Sequence, residues 1–475
     1  MEIAGRQEEI TLLQSLLEKR KSSFVAVYGR RRIGKTYLIR QVYEKNIFFE
    51  CSGVNGKQMS EQLENFWRAL NELSQLKQPT TVPPKTWIDA FYQLRTYLNT
   101  CTQETQKVIF LDELPWFDTP RSNFLAALDI FWNMYCTKRK DIILVICGSA
   151  ASWIIDKVIN DTGGLHSRLT NRIQLMPFTL KETKDFFALN QVKMPLRDIA
   201  QIYMAVGGIP FYLTDIQNGY SVPQVFDQLF FGKQAVLKNE FQNLYASLFK
   251  NNTLHEKVVE ALASRNKGLT RNEIIEVSGL KSGGTLSTVL EELIQCGFIQ
   301  QIRPLSKIKE DYLYRLVDEY SLFYFKFLKN GDTNNSWQIL MNAPSYKTWS
   351  GYAFENLCFK HTPQIKMAFG ISGVITNEYS WSLKGNAERT GAQIDLVIDR
   401  ADNCINVIEA KFYNTEFEVT KEYERQLRDK VAVFTNQTRT KKSVFLTMIS
   451  VFGVKKNEHY LSIVTNQLTI EDLFT

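Results

Sequence analysis

The sequence has few of the residues that build disulfide frameworks or transition-metal sites. Only seven cysteines and four histidines occur in 475 residues. The cysteines are odd in number and scattered along the chain, and no two of them have Cys-x-x-Cys spacing. This pattern argues against a disulfide scaffold and a zinc site, and so few histidines argue against a histidine-based metal site.

Long hydrophobic runs are also scarce. The longest apolar stretch, residues 142–155, is interrupted by Gly148, Ser149 and Ser152. It is too short to span a bilayer, and the first residues lack the basic-then-apolar layout of a signal peptide. We therefore expect a cytoplasmic protein that does not contact a membrane.

A strong excess of one charge is absent as well. The net charge of +7 is small for 475 residues, so it permits contact with nucleic acid without requiring it. The composition is that of an ordinary globular protein, with 44% hydrophobic and 23% charged residues. The length predicts about three domains.

The most informative segment that is present is residues 24–36. Its apolar start, residues 24–28, predicts a buried strand, and Gly29-x-x-x-x-Gly34-Lys35-Thr36 has the spacing of a phosphate loop. Such a loop turns backbone N–H groups toward phosphates, and the following helix adds its positive end. We expect Lys35 to contact the β and γ phosphates of ATP and Thr36 to ligate Mg²⁺. The predicted nucleotide-binding residues are Gly29, Arg30, Arg31, Arg32, Ile33, Gly34, Lys35 and Thr36.

Two later apolar runs end in polar residues. Residues 107–111 precede Asp112 and Glu113, as in a buried parallel strand that delivers carboxylates to the edge of a sheet. Asp112 is predicted to hold Mg²⁺, directly or indirectly, and Glu113 to orient or deprotonate the attacking water. Residues 141–147 precede Ser149, which we expect to contact the γ-phosphate or the water, although a simple turn after the strand is the alternative.

Two arginines and a glycine pair complete this region. Arg168 and Arg172 are four residues apart, so on a helix they share a face, and either is a candidate arginine finger. Surface arginines at a helix end are the alternative. Farther on, Gly207, Gly208 and Pro210 are predicted to break a helix that precedes them.

Residues 1 to about 245 resemble the archaeal-type branch of the AAA+/STAND ATPases. The matching elements are Gly5-Arg6, residues 29–36, Asp112-Glu113, Gly148-Ser149, residues 164–168 with Pro177-Phe178, and residues 207–210. The resemblance implies a parallel five-stranded sheet with a helical lid. It also implies that Gly208 and Pro210 lie beside the base and sugar of the nucleotide.

The middle of the chain predicts a winged helix-turn-helix. Residues 252–263, 270–278 and 285–295 read as three helices, and residues 297–303 and 312–316 as a hairpin. The third helix carries Glu291 and Glu292 but no arginine or lysine, so specific base readout is not expected. Phosphate contacts are left to Lys281, Arg303, Lys307 and Lys309, and packing or partner binding is the alternative role.

The last third contains a second group of chemically active residues. Asp395 lies in one apolar strand pattern, and Glu409 and Lys411 lie two apart in the next, so the latter two project from one face. Two carboxylates beside a lysine can bind Mg²⁺ and position or activate water. This pattern resembles the PD-(D/E)XK nuclease core, with Ile394 in place of the leading proline. Glu355 resembles the extra acid of some members, and residues 426–430 resemble a trailing helix motif.

These patterns predict an α/β protein, similar to bacterial and archaeal ATPases fused to a C-terminal nuclease-like domain of unknown function. The predicted segments are a phosphate-loop ATPase core (1–180), a helical lid (181–248), a winged helix-turn-helix (249–320) and a nuclease-like α/β domain (321–475). The expected function is a switch ATPase that uses ATP and Mg²⁺ and controls a magnesium-dependent domain acting on DNA or RNA. A signalling or scaffold ATPase that only binds DNA or a protein partner is the alternative, and a plain DNA-binding regulator is a third reading. Assembly into a homo-oligomer is left open.

Overall fold

The structure is a computed structural model that describes residues 3–73, 82–101, 104–160, 168–249, 251–265, 267–302, 312–329, 337–383, 385 and 391–475. The chain forms two compact units, Met1–Met176 and Pro177–Thr475, and each is described by itself. Among the described residues, no helix is both long and apolar enough to cross a membrane.

The first unit is built on a parallel five-stranded sheet. Its strands are β1 (Ser23–Tyr28), β2 (Ile47–Ser52), β3 (Lys107–Asp112), β4 (Ile142–Gly148) and β5 (Asn171–Gln174). Their order is β2-β3-β4-β1-β5, and all neighbours run parallel. The carboxyl ends of β1, β3 and β4 therefore meet at one edge, where the segments after Tyr28, Leu111 and Cys147 begin.

Helices cover this sheet and bury its apolar side chains. They are α1 (Gln7–Glu18), α2 (Lys35–Tyr43), α3 (Met59–Leu73), α4 (Trp87–Asn99), α5 (Phe124–Met134) and α6 (Ala151–Ile154), with short helical turns at Leu114–Trp116, Cys136–Lys138 and Ile155–Ile159. Trp87 packs edge-on against Phe66, Phe117 and Phe124 between these helices. The expected five-stranded parallel sheet is confirmed.

Arg168 and Arg172 do not lie on a common helix, which was the condition for their sharing a face. Arg168 is an exposed turn residue, and Arg172 lies in β5, where it pairs with Ala26 of β1. Residues 171–174 are held by hydrogen bonds to the edge of the sheet, and this tertiary pairing overrides the local helical spacing. The two arginines therefore do not share a helix face.

The second unit begins with helices that continue beyond Pro177. They are α7 (Leu180–Leu189), α8 (Leu196–Val206), α9 (Pro210–Leu213), α10 (Val222–Phe226) and α11 (Glu240–Leu248), with a wide helical turn at Asp227–Phe231. The helix break predicted at Gly207 and Gly208 is confirmed, because α8 ends at Val206 and α9 begins at Pro210. Gly208 is packed so tightly that a Cβ atom there would lie 1.9 Å from the carbonyl oxygen of Phe178.

Three helices and a small antiparallel sheet follow. The elements are α12 (Asn252–Ala263), β6 (Leu269–Thr270), α13 (Arg271–Ser278), α14 (Gly284–Gln295), β7 (Ile299–Ile302) and β8 (Leu313–Leu316), and the strand order is β6-β8-β7. The predicted capping box forms, since Thr270 Oγ1 accepts the N–H of Glu273 and Glu273 Oε2 accepts the N–H of Thr270. Arg303, Lys307 and Lys309 lie outside the described residues.

The unit ends in a mixed five-stranded sheet with helices around it. The elements are α15 (Glu319–Phe323), a wide helical turn at Tyr324–Leu328, α16 (Trp337–Leu340), α17 (Pro344–Lys360), α18 (Thr362–Ala368), β9 (Thr376–Leu383), β10 (Ala392–Arg400), β11 (Cys404–Lys411), α19 (Lys421–Thr438), β12 (Ser443–Ser450), α20 (Glu458–Leu461), β13 (Asn466–Leu468) and a short helix at Ile470–Phe474. The order is β13-β12-β11-β10-β9, antiparallel across β9, β10 and β11 and parallel across β11, β12 and β13.

Candidate functional site

The loop between β1 and α2 has the backbone that its glycines predict. Gly29 has a φ of 146°, and a Cβ atom there would lie 2.4 Å from the carbonyl oxygen of Leu175. Arg32 and Gly34 are both left-handed, and Gly34 leads directly into α2. Left-handed residues between helical ones turn neighbouring N–H groups to one side, which suits an anion. Gly29 cannot be replaced by another residue without moving the chain.

Lys35 lies at the centre of this loop and is almost fully buried. Its ammonium group donates to the carbonyl oxygens of Gly29 (3.0 Å) and Arg30 (2.8 Å) and to Ser149 Oγ (3.2 Å). The lysine thus reaches from α2 to the end of β4. Three hydrogen bonds hold its charge at the place where the loop curls.

Thr36 and Asp112 form the next contact. Thr36 Oγ1 donates to Asp112 Oδ2 at 2.7 Å, and the other carboxylate oxygen of Asp112 accepts the N–H of Glu113 at 2.9 Å. A hydroxyl and a carboxylate are the hard oxygen ligands that Mg²⁺ prefers, and here they come from a loop–helix junction and an adjacent strand end. The donor set fits a magnesium ion.

Glu113 is held by Ser149 rather than pointing freely into solvent. Ser149 Oγ donates to Glu113 Oε1 at 2.7 Å, and the N–H of Ser149 donates to Oε2 at 3.3 Å. Glu113 itself has a left-handed backbone, with a φ of 48°. Such an unfavourable backbone conformation in a non-glycine residue is common at functional sites, where the direction of the side chain is important. The network Lys35–Ser149–Glu113–Asp112–Thr36 is therefore continuous.

The remaining residues predicted for the ATPase site are spread more widely. Arg30 is buried, Arg31 is exposed and Arg32 is half-buried within the loop. Gly208 and Pro210 belong to the second unit, so their contact with a nucleotide stays a prediction. The arginine-finger role of Arg168 or Arg172 also stays a prediction, although both side chains are exposed.

A second group of ionisable residues lies at the ends of β10 and β11, in a cleft of about 320 Å³. Asp395 is buried, and its Oδ2 accepts the N–H of Ala410 on the neighbouring strand at 3.0 Å. The pairing of β10 with β9 shifts between Ile394 and Val397, which is where Asp395 lies. Irregularities of this kind are common beside functional sites.

Glu409 is the most heavily hydrogen-bonded carboxylate of this cleft. Its Oε1 accepts from Lys411 (2.8 Å), Tyr423 (3.0 Å) and Lys430 (2.8 Å), and Oε2 accepts a second bond from Lys430 at 2.9 Å. The expected shared face of Glu409 and Lys411 is confirmed. The structure thus brings Asp395, Glu409 and Lys411 together, with Glu355 lining the same cleft.

The charges of this cleft follow from burial and from the two lysines. Burial raises the pKa of Asp395 well above its usual range, and Glu409 and Glu355 add to that rise. Burial also raises the pKa of Glu355, to about 7. At Glu409 burial also favours a higher pKa, but the positive charges of Lys411 and Lys430 outweigh burial, and the pKa of Glu409 is lowered. Burial opposes the charge of Lys411, yet Glu409 raises its pKa, so Lys411 is a cation here.

This arrangement has consequences for metal binding. Among the residues that the structure describes, no three histidine, cysteine, aspartate or glutamate side chains are grouped so as to hold a metal ion. Asp395 and Glu409 offer oxygen ligands that suit Mg²⁺, but the oxygens of Glu409 already accept from two lysines and a tyrosine. A metal ion there has to compete with Lys411 and Lys430 for the same carboxylate.

Tyr423 contributes to this cleft, although it is not among the residues predicted from the sequence. It lies two helical turns before Lys430 on α19, and its hydroxyl meets the same oxygen of Glu409. Seven-residue spacing on a helix places two side chains on one face, so the spacing to Lys430 was the available indication. Arg315 of β8 was also missed. Its charge acts on Glu355 and Asp395 from a different part of the chain.

Comparisons with known proteins show which family the first part of the chain is similar to. Residues 3–216 match the protein family described as an ATPase domain predominantly from Archaea. An uncharacterized protein of Methanocaldococcus jannaschii is 26% identical over 358 residues, which cover 74% of this chain and 75% of the relative.

Among solved structures, one that has a TM-score above 0.5 to this chain shows a likeness of fold. The Walker-type ATPase of Pyrococcus abyssi aligns with a TM-score of 0.51 and 18% identity, covering 68% of this chain and 96% of that one. The ORC2 protein of Aeropyrum pernix aligns with a TM-score of 0.42 and 16% identity, covering 72% and 96%. With the phosphate-loop geometry described above, the family match shows that residues 3–216 contain an ATPase domain of the archaeal type, which implies nucleotide binding.

Proposed function

We propose that the chain is a magnesium-dependent switch ATPase whose nucleotide state controls its C-terminal part. The continuous network from Lys35 through Ser149, Glu113 and Asp112 to Thr36 carries the proposal. It combines a phosphate-binding cation, two oxygen ligands and a carboxylate beside them, and these are the groups that ATP hydrolysis requires.

Each residue of the network has a separate part in the reaction. Lys35 exchanges its carbonyl partners for the β and γ phosphates, and Thr36 and Asp112 hold magnesium, which when bound neutralises charge on those phosphates. Glu113 orients a water molecule toward the γ-phosphate and accepts its proton. Ser149 keeps the Glu113 carboxylate at a fixed place while this happens.

ATP turnover and nucleotide binding test these roles. We expect Lys35→Ala to lose nucleotide binding, and Glu113→Gln to keep binding while turnover falls by about 100-fold or more. Lys45→Ala, an exposed lysine at the end of the same helix, is the control and should behave like the wild type. Undiminished turnover in Glu113→Gln would remove the water-activating role from that residue.

We propose further that residues 321–475 form a nuclease-like domain with a metal-dependent site. Asp395 and Glu409 supply the carboxylates, and Lys411 supplies a positive charge at 2.8 Å from Glu409. In this role Asp395 and Glu409 bind the divalent ion, while Lys411 turns from Glu409 to the attacking water or the phosphate. Tyr423 keeps Glu409 in place once the ion has displaced Lys430 from the carboxylate.

Cleavage assays on supercoiled, linear and single-stranded DNA and on RNA, with Mg²⁺ or Mn²⁺ and with or without ATP, test this domain. Asp395→Asn is the informative variant, because its amide oxygen can still accept the N–H of Ala410. We expect cleavage to vanish in Asp395→Asn and to persist in Asp402→Asn, an exposed acid whose partner is Arg400. If the wild type cleaves none of these substrates, the nuclease proposal is wrong, and the alternative of a signalling or scaffold ATPase that only binds DNA or a protein partner takes its place.

The region between the two sites is proposed to be a winged helix-turn-helix. The three helices α12, α13 and α14 with the β6-β8-β7 sheet support this. Because α14 presents Glu291 and Glu292, we propose packing or partner contacts for it rather than base readout. Binding of DNA that weakens steeply with salt and depends on sequence would favour the DNA-binding alternative.

Contacts within the second unit support control of the C-terminal site by the lid. Arg197, at the start of α8, donates to Asn414 Oδ1 at 2.6 Å, three residues after Lys411. His361, at the end of α17, accepts the N–H of Leu180 at the start of α7. The proposed lid helices therefore hold both a loop and a helix of the proposed nuclease-like domain.

A further inference from the structure

A separate cavity of about 120 Å³ lies in the second unit, between α12, β8, the helix at 319–328 and α17. Its polar lining includes Arg315, Lys326, Trp349, Tyr352 and Asn356. Thr348 and Tyr352 also line the cleft that holds Asp395 and Glu409, so the two spaces adjoin.

Arg315 is the feature of this cavity that most needs explanation. Its side chain is 6% exposed, and within the described residues it forms neither an ion pair nor a hydrogen bond. Its guanidinium carbon lies 5.6 Å from the centre of the Phe359 ring. A buried cation without a hydrogen-bonded anion is costly, so such groups are normally paired.

The acids near Arg315 do not fill this need. Glu355 and Asp395 attract the guanidinium through space, but neither forms an ion pair with it. An arginine presents five N–H donors in a planar fork, and that fork suits a carboxylate or phosphate in direct contact. The donors of Arg315 therefore stay available to a ligand.

Other groups around the cavity complement an anion. The indole N–H of Trp349 is buried and has no acceptor in the described part of the chain. Lys326, exposed on the rim, likewise has no ion pair among the described residues. Asn356 differs from these, because its amide N–H donates to the carbonyl oxygen of Val317 at 3.1 Å, while its buried Oδ1 accepts no hydrogen bond from any residue that the structure describes. That oxygen can accept a proton from an anion that still carries one.

We propose that this cavity binds a single phosphate group, which accepts hydrogen bonds from Arg315, Trp349 and Lys326 and donates its own proton to Asn356 Oδ1. Its volume suits one tetrahedral oxyanion rather than a whole nucleotide. Asn356 selects a protonated phosphate over sulfate, because sulfate carries no proton at neutral pH. The phosphate comes either from solution or from the end of a nucleic-acid strand that enters the adjoining cleft, and only the second source rests on the proposed nuclease function.

Isothermal titration of the full chain with inorganic phosphate tests the proposal. The titration is done on Lys35→Ala, so that the phosphate loop does not contribute the signal. We expect one phosphate per chain, weakened at least tenfold by Arg315→Met and several-fold by Trp349→Phe in the same background. Arg428→Met, an exposed arginine paired with Glu424, is the control and should bind phosphate unchanged. Sulfate should bind more weakly than phosphate.

Thermal unfolding provides a second readout that does not need tight binding. Phosphate should raise the melting temperature of Lys35→Ala but not that of its Arg315→Met derivative. Without phosphate, removal of the unpaired charge should leave the melting temperature equal or higher. Absence of phosphate binding, or equal binding in Arg315→Met, overturns the site, and equal affinity for sulfate overturns the role of Asn356.

Two oligonucleotides then separate the sources of the phosphate. A single strand with a 5′-phosphate should bind more tightly than the same strand with a 5′-hydroxyl if the ligand is a strand end, and Arg315→Met should erase the difference. Equal affinities, with binding of inorganic phosphate retained, assign the site to free phosphate. Neither result depends on cleavage, so failure of the nuclease proposal and failure of the phosphate site are distinguishable.

Discussion

At the scale of single residues, the ATPase site depends on how its carboxylate is held. Glu113 and Ser149 follow two different strands, and two hydrogen bonds from Ser149 fix both oxygens of the Glu113 carboxylate. The same serine accepts a hydrogen bond from Lys35. Ser149 therefore links the proposed water-activating group to the phosphate-binding group, and its effect on turnover should exceed its effect on binding.

We predict that Ser149→Ala lowers ATP turnover about tenfold, which is about 1.4 kcal/mol in the barrier, because Glu113 loses its side-chain donor. Nucleotide affinity should change less than threefold, since Lys35 and the backbone N–H groups of the loop remain available to the phosphates. Steady-state turnover and titration with a fluorescent nucleotide measure the two quantities. Ser152→Ala, another buried serine, is the control, and wild-type turnover in Ser149→Ala would contradict the linking role.

His361 gives the second prediction at this scale. Its Nε2 accepts the N–H of Leu180 at 3.0 Å, and its other ring nitrogen hydrogen-bonds the carbonyl oxygen of Leu357 at 2.9 Å. Burial lowers the pKa of His361 to about 4, from 6.5 in the unfolded chain, and the Leu357 carbonyl opposes that shift only partly. The unfolded chain therefore takes up a proton first, so the stability that this histidine provides above pH 6.5 is lost as the pH falls toward 4.

The two pKa values differ by about 2.5, which corresponds to roughly 3 kcal/mol of unfolding free energy. We predict that His361→Gln, which cannot take up a proton, loses less stability than the wild type between pH 7 and pH 4.5. Denaturant unfolding at several pH values measures this difference. His459→Gln serves as the comparison, because that histidine is partly exposed and pairs with Glu424. Parallel pH profiles of the wild type and His361→Gln would contradict the buried neutral form.

At the scale of elements, the junction between α8 and α9 is set by two glycines. Gly207 has a φ of 64°, and Gly208 lies directly against the backbone of Phe178, whose N–H donates to the carbonyl oxygen of Gly208 at 2.6 Å. Tyr203 donates to the carbonyl oxygen of Phe178 from the preceding helix. The segment that opens the second unit is thus fastened to the end of α8.

We predict that Gly208→Ala destabilises the chain by about 2 kcal/mol or more, because the new methyl group must push the Phe178 backbone away. Denaturant unfolding of the full chain measures the change. Gly284→Ala is the matched control, since a Cβ atom at Gly284 would meet nothing within 4 Å and the position begins a helix. An unchanged midpoint in Gly208→Ala would mean that α8 and Phe178 can separate at little cost.

Some of these secondary-structure elements could be predicted from the sequence, and others could not. The strand, loop and helix around Gly29 to Thr36 were predictable because glycine spacing and an apolar run act locally. The strand at Arg172 was not, because its conformation depends on pairing with β1, far away in the chain. The spacing of Tyr423 and Lys430 places them on one helix face, but the contact of Tyr423 with Glu409 and the position of Arg315 depend on tertiary packing.

At the scale of the whole molecule, the family match and the compact units do not end at the same residue. The matched ATPase domain runs from residue 3 to residue 216, whereas the first compact unit ends at Met176. The last part of the ATPase domain, including α7, α8 and α9, therefore belongs to the unit that also contains the Asp395–Glu409 cleft. Residues of the ATPase domain itself therefore lie in that unit, and a conformational change caused by the nucleotide can be transmitted to the unit along the chain.

We expect Arg197 to transmit this conformational change to the cleft that contains Asp395 and Glu409. It lies on α8, contacts the ring of Phe412 at 5.9 Å and donates to Asn414, and both partners follow Lys411 directly or closely. We predict that Mg²⁺-ATP, added to the Glu113→Gln protein to prevent turnover, slows hydrogen exchange in residues 29–36 and changes it in residues 409–414. Arg197→Met should keep the first effect and lose the second, because the link from α8 to the strand end is removed.

Two controls make this exchange experiment decisive. Lys35→Ala should lose both effects, since it binds no nucleotide, and Arg428→Met should keep both, since its partners are Glu424 and Ser462. Protection of residues 29–36 with unchanged exchange in residues 409–414 would mean that ATP does not act on the cleft. The two sites would then work independently, and the cleavage assays would be expected to give the same result with and without ATP.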